Sequence, residues 1–417
     1  MSDLKRDIGI IRTLAEQYAA LALQPIQETR RQRWAAHFGL KKVSPPLILA
    51  TYGMHNVWCT EFFSDASLQC SDPFYRGHER FLRMQIFHDS IGDDYILEPW
   101  FTLGASVNRS WTRGWGLEEA RHASSETGGA WKFDPPIRDW ADAANMTALT
   151  HHVDEEDTAR NLSRLHDAVG DILPIDVVYG PAYGGFSSDI STHLTRLRGM
   201  EDLMLDMYEH PAELHRTLAF MRDSILAEND AAEKAGHYSL TTSSNQAMPY
   251  APELEPLKPN SGPRKRNQIW GFCAAQEYTL ISPEFHEEFL LQYQRPIYAP
   301  FAMIHYGCCE DLTNKIDMLR SIPNLRSIAV TPVANVRRSA EQIGRDYVMS
   351  WRPNPTDMVC AGWDEARIRR IIRDGFEATR DGYVHLHLKD VETVQGDPSR
   401  LARWVRIVRE TAESTGV

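Results

Sequence analysis

The feature that most constrains this chain is a rhythm. Short apolar runs recur, each closed by glycine, proline or polar residues, and most lead into an amphipathic helical stretch. Eight runs stand out: Tyr95–Glu98, Ile175–Tyr179, Tyr238–Ser243, Ile269–Ala274, Phe301–Tyr306, Arg326–Thr331, Tyr347–Trp351 and Tyr383–Leu388. Continuous apolar runs between helices are the mark of buried parallel strands. The clearest helical stretches are Met200–Tyr208, Pro211–Ala235, Pro283–Gln294, Leu312–Ile322, Asp364–Thr379 and Pro398–Glu413. Asp364 and Ser282 fall where N-caps belong, and Gly236 and Gly382 where C-terminal glycines belong. The pattern predicts an α/β fold, a (β/α)8 TIM barrel, in preference to a doubly wound open sheet. No Gly-x-Gly-x-x-Gly follows an early strand, which removes the signature of a dinucleotide fold.

The first ninety residues differ in texture. Leu4 to Leu23 and Ile26 to Phe38 have helical periodicity, Pro45-Pro46 ends the run, and Leu47–Gly53 reads as a short strand. Arg76 to Ser90 is again amphipathic. The expected organisation is a mostly helical N-terminal extension over residues 1–90, packed on a barrel over 91–417. The long interval Phe101–Pro174, rich in Trp, Gly and Asp, is expected to hold a hairpin or a cap over the barrel mouth.

Charge excludes some partners. Lys and Arg number 45 against 57 Asp and Glu, a net charge of −12 over 417 residues. A chain this acidic offers no broad footprint for nucleic acid or an anionic membrane. No run reaches the ~18 apolar residues of a membrane span, and the N-terminus lacks an apolar signal core, so the expected compartment is the cytoplasm. Six scattered cysteines do not make a disulfide scaffold.

In a barrel, chemistry gathers where strands end. The fifth end, His305-Tyr306-Gly307-Cys308-Cys309-Glu310, places an imidazole near two thiols. Cys sulfur and His nitrogen are the usual ligands of zinc, so His305, Cys308 and Cys309 are candidate metal residues. The same residues also fit a hydrogen-bonded core histidine and two small buried cysteines. A third ligand would come from Cys360, His387, Asp390 or Glu277. Gln276-Glu277 and Lys389-Asp390 close two other strands, which makes Glu277 and Asp390 candidate acid–base residues and Gln276 a substrate contact. Glu98, set among Leu97, Pro99 and Trp100, is a second candidate substrate contact. Trp270 and Trp351 are candidate pocket walls, as are Trp58, Trp100, Trp111 and Trp115; rim tryptophans also serve simply as packing.

Several stretches from Pro181 to Thr411 resemble one family. They are Leu280-Ile281-Ser282-Pro283-Glu284-Phe285, Ile304-His305-Tyr306-Gly307-Cys308-Cys309-Glu310, Asp346-Tyr347-Val348 and Arg352-Pro353-Asn354-Pro355. Together they resemble the uroporphyrinogen decarboxylase superfamily, and most nearly its methylcobalamin:coenzyme M methyltransferase branch. The resemblance implies a (β/α)8 barrel, a homodimer, a zinc ion at His305 and the cysteine pair, and methyl transfer between a small molecule and a thiol or a corrinoid (cobalamin) on a separate protein. Two departures stand in the residues. Glu98-Pro99-Trp100-Phe101 has no arginine before Arg109, unlike the substrate loop of the tetrapyrrole decarboxylases. The last strand ends in Leu388-Lys389-Asp390 where the methyltransferases carry a cysteine. The alternatives are a metal-independent decarboxylase or lyase of the same superfamily and a non-catalytic binding barrel.

Overall fold

The structure is a computed structural model. It describes residues 3–50, 62–107, 113–118, 120–122, 125, 132–183, 189–360 and 362–417. Among them, eight strands form two parallel sheets: β1 (Ile48–Leu49), β2 (Phe101–Gly104), β3 (Ile175–Val178), β4 (Trp270–Cys273), β5 (Met303–Tyr306), β6 (Leu325–Val330), β7 (Val348–Trp351) and β8 (Tyr383–His387). One sheet has six strands in the order β1-β8-β7-β6-β5-β4, and the other pairs β2 with β3. The hydrogen-bond ladder does not run from one sheet into the other among the described residues. The observed architecture is therefore parallel α/β; the closed barrel expected from the rhythm is not drawn by its ladders.

Six of the eight expected runs become strands, and two do not. Tyr95–Glu98 stays irregular, and the strand starts beyond Pro99, at Phe101. Tyr238–Ser243 forms a single turn of 3-10 helix at Leu240–Thr242. Its hydroxyls explain this: the Ser239 N–H donates to Thr242 Oγ1 at 3.1 Å, and Thr242 Oγ1 donates to the Ser239 carbonyl at 2.7 Å. Such local bonds compete with a ladder. The 101–174 interval contains the expected hairpin, Ala120–His122 paired antiparallel with Lys132–Asp134.

The N-terminal helices do more than coat the outside. Helix α1 (Asp3–Ala22) and helix α3 (Pro73–Asp89) share a core with β2 and β3 through Ile11, Leu14, Tyr18, Leu82, Phe101 and Ile175. Helix α2 (Pro25–Phe38) closes the N-terminal end of the larger sheet, packing Trp34 and Phe38 against Leu47, Leu49, Trp270, Met303 and Val348. β1 lies inside the segment expected to be an extension, yet it pairs with β8. The boundary at residue 90 is thus not a boundary of the sheet.

Side chains alternate along these strands. On β7, Met349 and Trp351 face the helix layer, while Val348 joins the core under α2. The Val348 face continues through Ser350 to Arg352, all buried. Helices α4 (Glu365–Thr379) and α5 (Ser399–Thr415) cover the outer face with Ile368, Ile372, Phe376, Trp404 and Val408. The Asp364 cap forms as its position implies, accepting from Ala366 N–H at 2.9 Å.

Candidate functional site

The site begins with a glycine. Beyond β5 the chain turns at Gly307, whose φ is +106°. A Cβ there would meet Leu312 Cδ1 at 2.8 Å and Ala329 Cβ at 2.9 Å, so only glycine fits. The turn is then fastened by a buried carboxylate. Glu310 accepts from Ala275 N–H at 2.7 Å, Cys308 N–H at 2.8 Å and Cys309 N–H at 2.9 Å. Both thiols are thereby fixed beyond the ends of β4 and β5.

Cys308 is buried, and Cys309 is exposed. Their sulfurs lie 3.6 Å apart. The Lys389 ammonium, beyond the end of β8, lies 3.3 Å from Cys308 Sγ and 3.6 Å from Cys309 Sγ. It also meets Asp390 Oδ2 at 3.0 Å. Gln246 Nε2 donates to Cys308 Sγ at 3.5 Å, while its Oε1 accepts from Arg352 Nη2 at 2.9 Å. The other guanidinium nitrogen of Arg352 donates to the Cys308 carbonyl. These contacts lower the Cys308 pKa to about 6, first through the hydrogen bond from the Cys309 thiol, then through Lys389 and Arg352 against the opposing effect of burial. The Cys309 thiol is pushed up, because it keeps the proton that it gives to its neighbour's sulfur. The lowered pKa and the lysine beside it favour the thiolate, the reactive form of the residue, at Cys308.

His305 is buried on the same face but does not reach the sulfurs. Its Nδ1 is 2.9 Å from Ser327 Oγ. Its Nε2 is 3.2 Å from the Gly307 carbonyl and 3.2 Å from Arg352 Nη2. Burial first, then Arg352, holds the imidazole neutral, well below its ordinary pKa. The expected zinc set does not fit this arrangement. The imidazole nitrogens are committed elsewhere, an ammonium occupies the space beside both sulfurs, and no three His, Cys, Asp or Glu side chains converge among the described residues.

The other candidates separate. Asp390 joins the thiol cluster, with Cys309 Sγ 3.7 Å from its Oδ2 and its backbone at φ +56°. Glu277 belongs to a different group. Its carboxylate accepts from Ser191 Oγ at 2.7 Å and Thr192 Oγ1 at 2.9 Å. The same two hydroxyls meet the buried Asp189, Thr192 Oγ1 at 2.5 Å and Ser191 Oγ more closely still. Each hydroxyl carries one proton and faces two carboxylate oxygens, so the pair is satisfied when it shares an extra proton. Asp189 carries that proton, its pKa raised to about 8 by burial and then by Glu277. Gln276 sits beside Glu277 on the same 3-10 turn, partly exposed.

Three expected contacts lie elsewhere. Glu98 precedes β2 instead of following a strand, and is held by Arg31 of α2 at 2.8 Å and by Tyr250 Oη at 2.5 Å. Burial raises its pKa against that pairing. Trp270 opens β4 and packs on Phe38, with ring centroids 5.0 Å apart. Trp351 ends β7 on the helix-facing side, against Phe376 and close over Gly375. Cys360 donates instead to the Thr393 carbonyl at 3.0 Å. Trp58, Trp111 and Cys59 lie outside the described residues.

Glu310, Gln246, Arg352 and Asp189 join the site without having been named as candidates from the sequence. Glu310 and Arg352 follow β5 and β7, so their positions carried the signal, while Gln246 follows the 3-10 turn at Leu240–Thr242. Asp189 was marked by Asp-Ile-Ser-Thr ahead of a helix, and it does cap Ile190–Arg198.

No protein-family model matches this chain, and no curated protein matches it significantly. Among solved structures it is similar to a methyltransferase from Methanosarcina mazei, with a TM-score of 0.50 and 12% identity. The alignment covers 93% of this chain and 99% of the other. At that identity the likeness speaks to the fold. No described helix is long and apolar enough to cross a membrane.

Proposed function

We propose that this chain is an enzyme that transfers methyl groups, with the Cys308 thiolate as the sulfur at which the methyl is received. The carrying observation is the Cys308 sulfur 3.3 Å from the Lys389 ammonium, with Arg352 on the Cys308 carbonyl, beyond the ends of three parallel strands of one sheet. The similarity of the whole chain to a methyltransferase supports the reading. In this proposal β1 to β8 close as a (β/α)8 barrel, and the site opens at its C-terminal mouth. Isolated bonds support closure: Asp94 N–H to the Ile48 carbonyl at 2.8 Å, and Gly180 N–H to the His237 carbonyl at 2.7 Å.

The chemistry is a displacement at carbon. The sulfur anion forms a bond to the methyl carbon, and the methyl-to-donor bond breaks with its electron pair on the donor. Lys389 keeps the sulfur ionised, and Gln246 and Arg352 fix its direction. The test supplies methylcobalamin as donor to the reduced chain in a single-turnover reaction, and follows donor demethylation by absorbance and the methyl gained on Cys308 by peptide mass. The single-turnover demethylation rate should fall at least ~100-fold in Cys308→Ala, equivalent to about 2.7 kcal/mol of transition-state stabilisation. Absence of chain-dependent demethylation overturns the reading for that donor class. Zinc measured per chain tests the metal expectation separately.

A second reading has its own support. The buried Asp189 carboxyl, its pKa raised by burial and then by Glu277 across Ser191 and Thr192, suits acid–base chemistry in a metal-independent lyase or decarboxylase. Substrate turnover lost in Asp189→Asn but kept in Cys308→Ala selects it.

A further inference from the structure

We propose that Cys308 and Cys309 are a redox-active pair that closes reversibly into a vicinal disulfide when the chain meets a small-molecule disulfide. This does not depend on the methyl-transfer reading, because both partners and the product lie within the chain.

Three observations carry it. The sulfurs already touch, at 3.6 Å, and ring closure needs them to approach to about 2.05 Å. The two residues divide the tasks of an exchange reaction. Cys309 is exposed and meets an incoming disulfide first, whereas Cys308, 5% exposed, sits behind it and is held beside a cation. Glu310 fixes the backbone of both through their N–H groups, so neither sulfur can swing far away. Cys70, Cys273 and Cys360 each place their sulfur against a backbone carbonyl.

The steps balance. The pair holds one proton, and its transfer to Cys308 leaves the anion on Cys309. Cys309 attacks the small disulfide, forming a mixed disulfide and releasing one small thiolate. Cys308 then loses its proton and attacks Cys309 Sγ, the intramolecular S–S bond forms, and the second small thiolate leaves. The pair loses two electrons and its one proton, and the small disulfide becomes one thiol and one thiolate, which takes its proton from water. Lys389 serves the second step by holding the attacking sulfur as an anion.

Reversal is built in. Adjacent Cα atoms are about 3.8 Å apart across a trans peptide, below the usual separation for a disulfide of about 4.4 Å or more. A ring closed under that restraint is readily reduced, which is the property of regulatory disulfides. Closure would also remove the thiolate that Lys389, Gln246 and Arg352 surround, and so silence whatever chemistry uses it.

The experiment treats the full chain, after dialysis against a chelator, with glutathione disulfide and reads intact mass and tryptic peptides. The parent should lose two hydrogens, with the bridge mapped to Cys308–Cys309, and recover its mass with a dithiol. Cys308→Ser should instead keep one glutathionyl group on Cys309, because nothing displaces it. Cys309→Ser should form no bridge and should take up glutathione far more slowly than Cys308→Ser does. Lys389→Gln should close the ring several-fold more slowly at neutral pH, with the gap narrowing at alkaline pH. A persistent adduct on the parent, a bridge mapped to any other cysteine, or no reaction under conditions that oxidise a free dithiol would each overturn the proposal. Circular dichroism of the serine variants checks that they fold.

Discussion

The two ends of the same strands are built on opposite terms. At the N-terminal end, Met303 and Val348 meet Trp34, Phe38, Leu47 and Trp270 in an apolar core closed by α2. Further along the same faces, or just past the strand ends, come His305 and Gly307 after Met303 on β5, Ser350 and Arg352 after Val348 on β7, and His387 and Lys389 after Tyr383 on β8. The first end can be stabilised by burial alone. The second buries a guanidinium, an ammonium and a thiolate, each of which needs a partner to be tolerated. A strand that begins apolar and ends charged thus separates the part that holds the fold from the part that does chemistry.

The largest effect should come from damaging the apolar end. Trp34 is fully buried, and its indole N–H donates to the Asp94 carbonyl at 2.8 Å. Trp34→Ala should cost about 3–5 kcal/mol of unfolding free energy in denaturant titrations, for lost burial and the cavity left. Alkylation of Cys308 in the remaining folded protein should be unchanged. Altered Cys308 reactivity there would mean that the ends are not independent.

The proton shared by Asp189 and Glu277 gives the next effect. A folded pKa raised to about 8 from 3.8 means that the folded chain holds a proton the unfolded chain has released. The stability from this group is full below the unfolded value and is lost as pH rises through the folded one. The slope is at most about 1.4 kcal/mol per pH unit for a single proton. Asp189→Asn keeps the cap and removes the titration, so its stability should decline less between pH 4 and 8. Parallel curves for parent and variant would refute the shared proton.

At the thiol cluster the sign is reversed. Cys308 is depressed to about 6, so its thiolate contribution is present above the unfolded pKa and is lost as pH falls through about 6. Iodoacetamide rates against pH should show that midpoint. Cys309→Ala removes the largest cause and should raise it most, with Lys389→Met next, each by ~1 unit or more. An unmoved midpoint in both variants would show that the neighbours do not set the ionisation.

How much of this was legible depends on what each residue type reports. Strands β3 to β8 were readable because Ile, Val and aromatic runs have few alternatives to a buried strand. Tyr238–Ser243 was not, because Ser and Thr bond their own backbone and no periodicity reveals it. Glu277 and Cys308 were found from position, since both follow strands. Their grouping was hidden, because a strand end fixes the level of a side chain but not its neighbour: Glu277 turned to Asp189, and His305 to Ser327 and Gly307. Trp351 misled for a simpler reason. It ends β7 on the face opposite to Ser350 and Arg352, and its place in sequence does not say which face is inside.

The smallest effect belongs to Glu98, whose apolar neighbours in sequence suggested a buried, functional carboxylate. Its environment is buried, but its partners are structural. Arg31 and Tyr250 hold both carboxylate oxygens, and Tyr18 donates to its carbonyl at 2.7 Å. Glu98→Gln keeps an acceptor for Tyr250 and leaves Arg31 beside Glu28 at 3.4 Å, so no charge is stranded. The loss should be about 1 kcal/mol, the scale of a partly exposed ion pair. The Cys308 midpoint should stay at about 6, because no contact of Glu98 leads to the cysteines. If the midpoint moves with so mild a change at the far end, the charged end is tuned through the apolar one, and separating fold from chemistry along the strand is the wrong description.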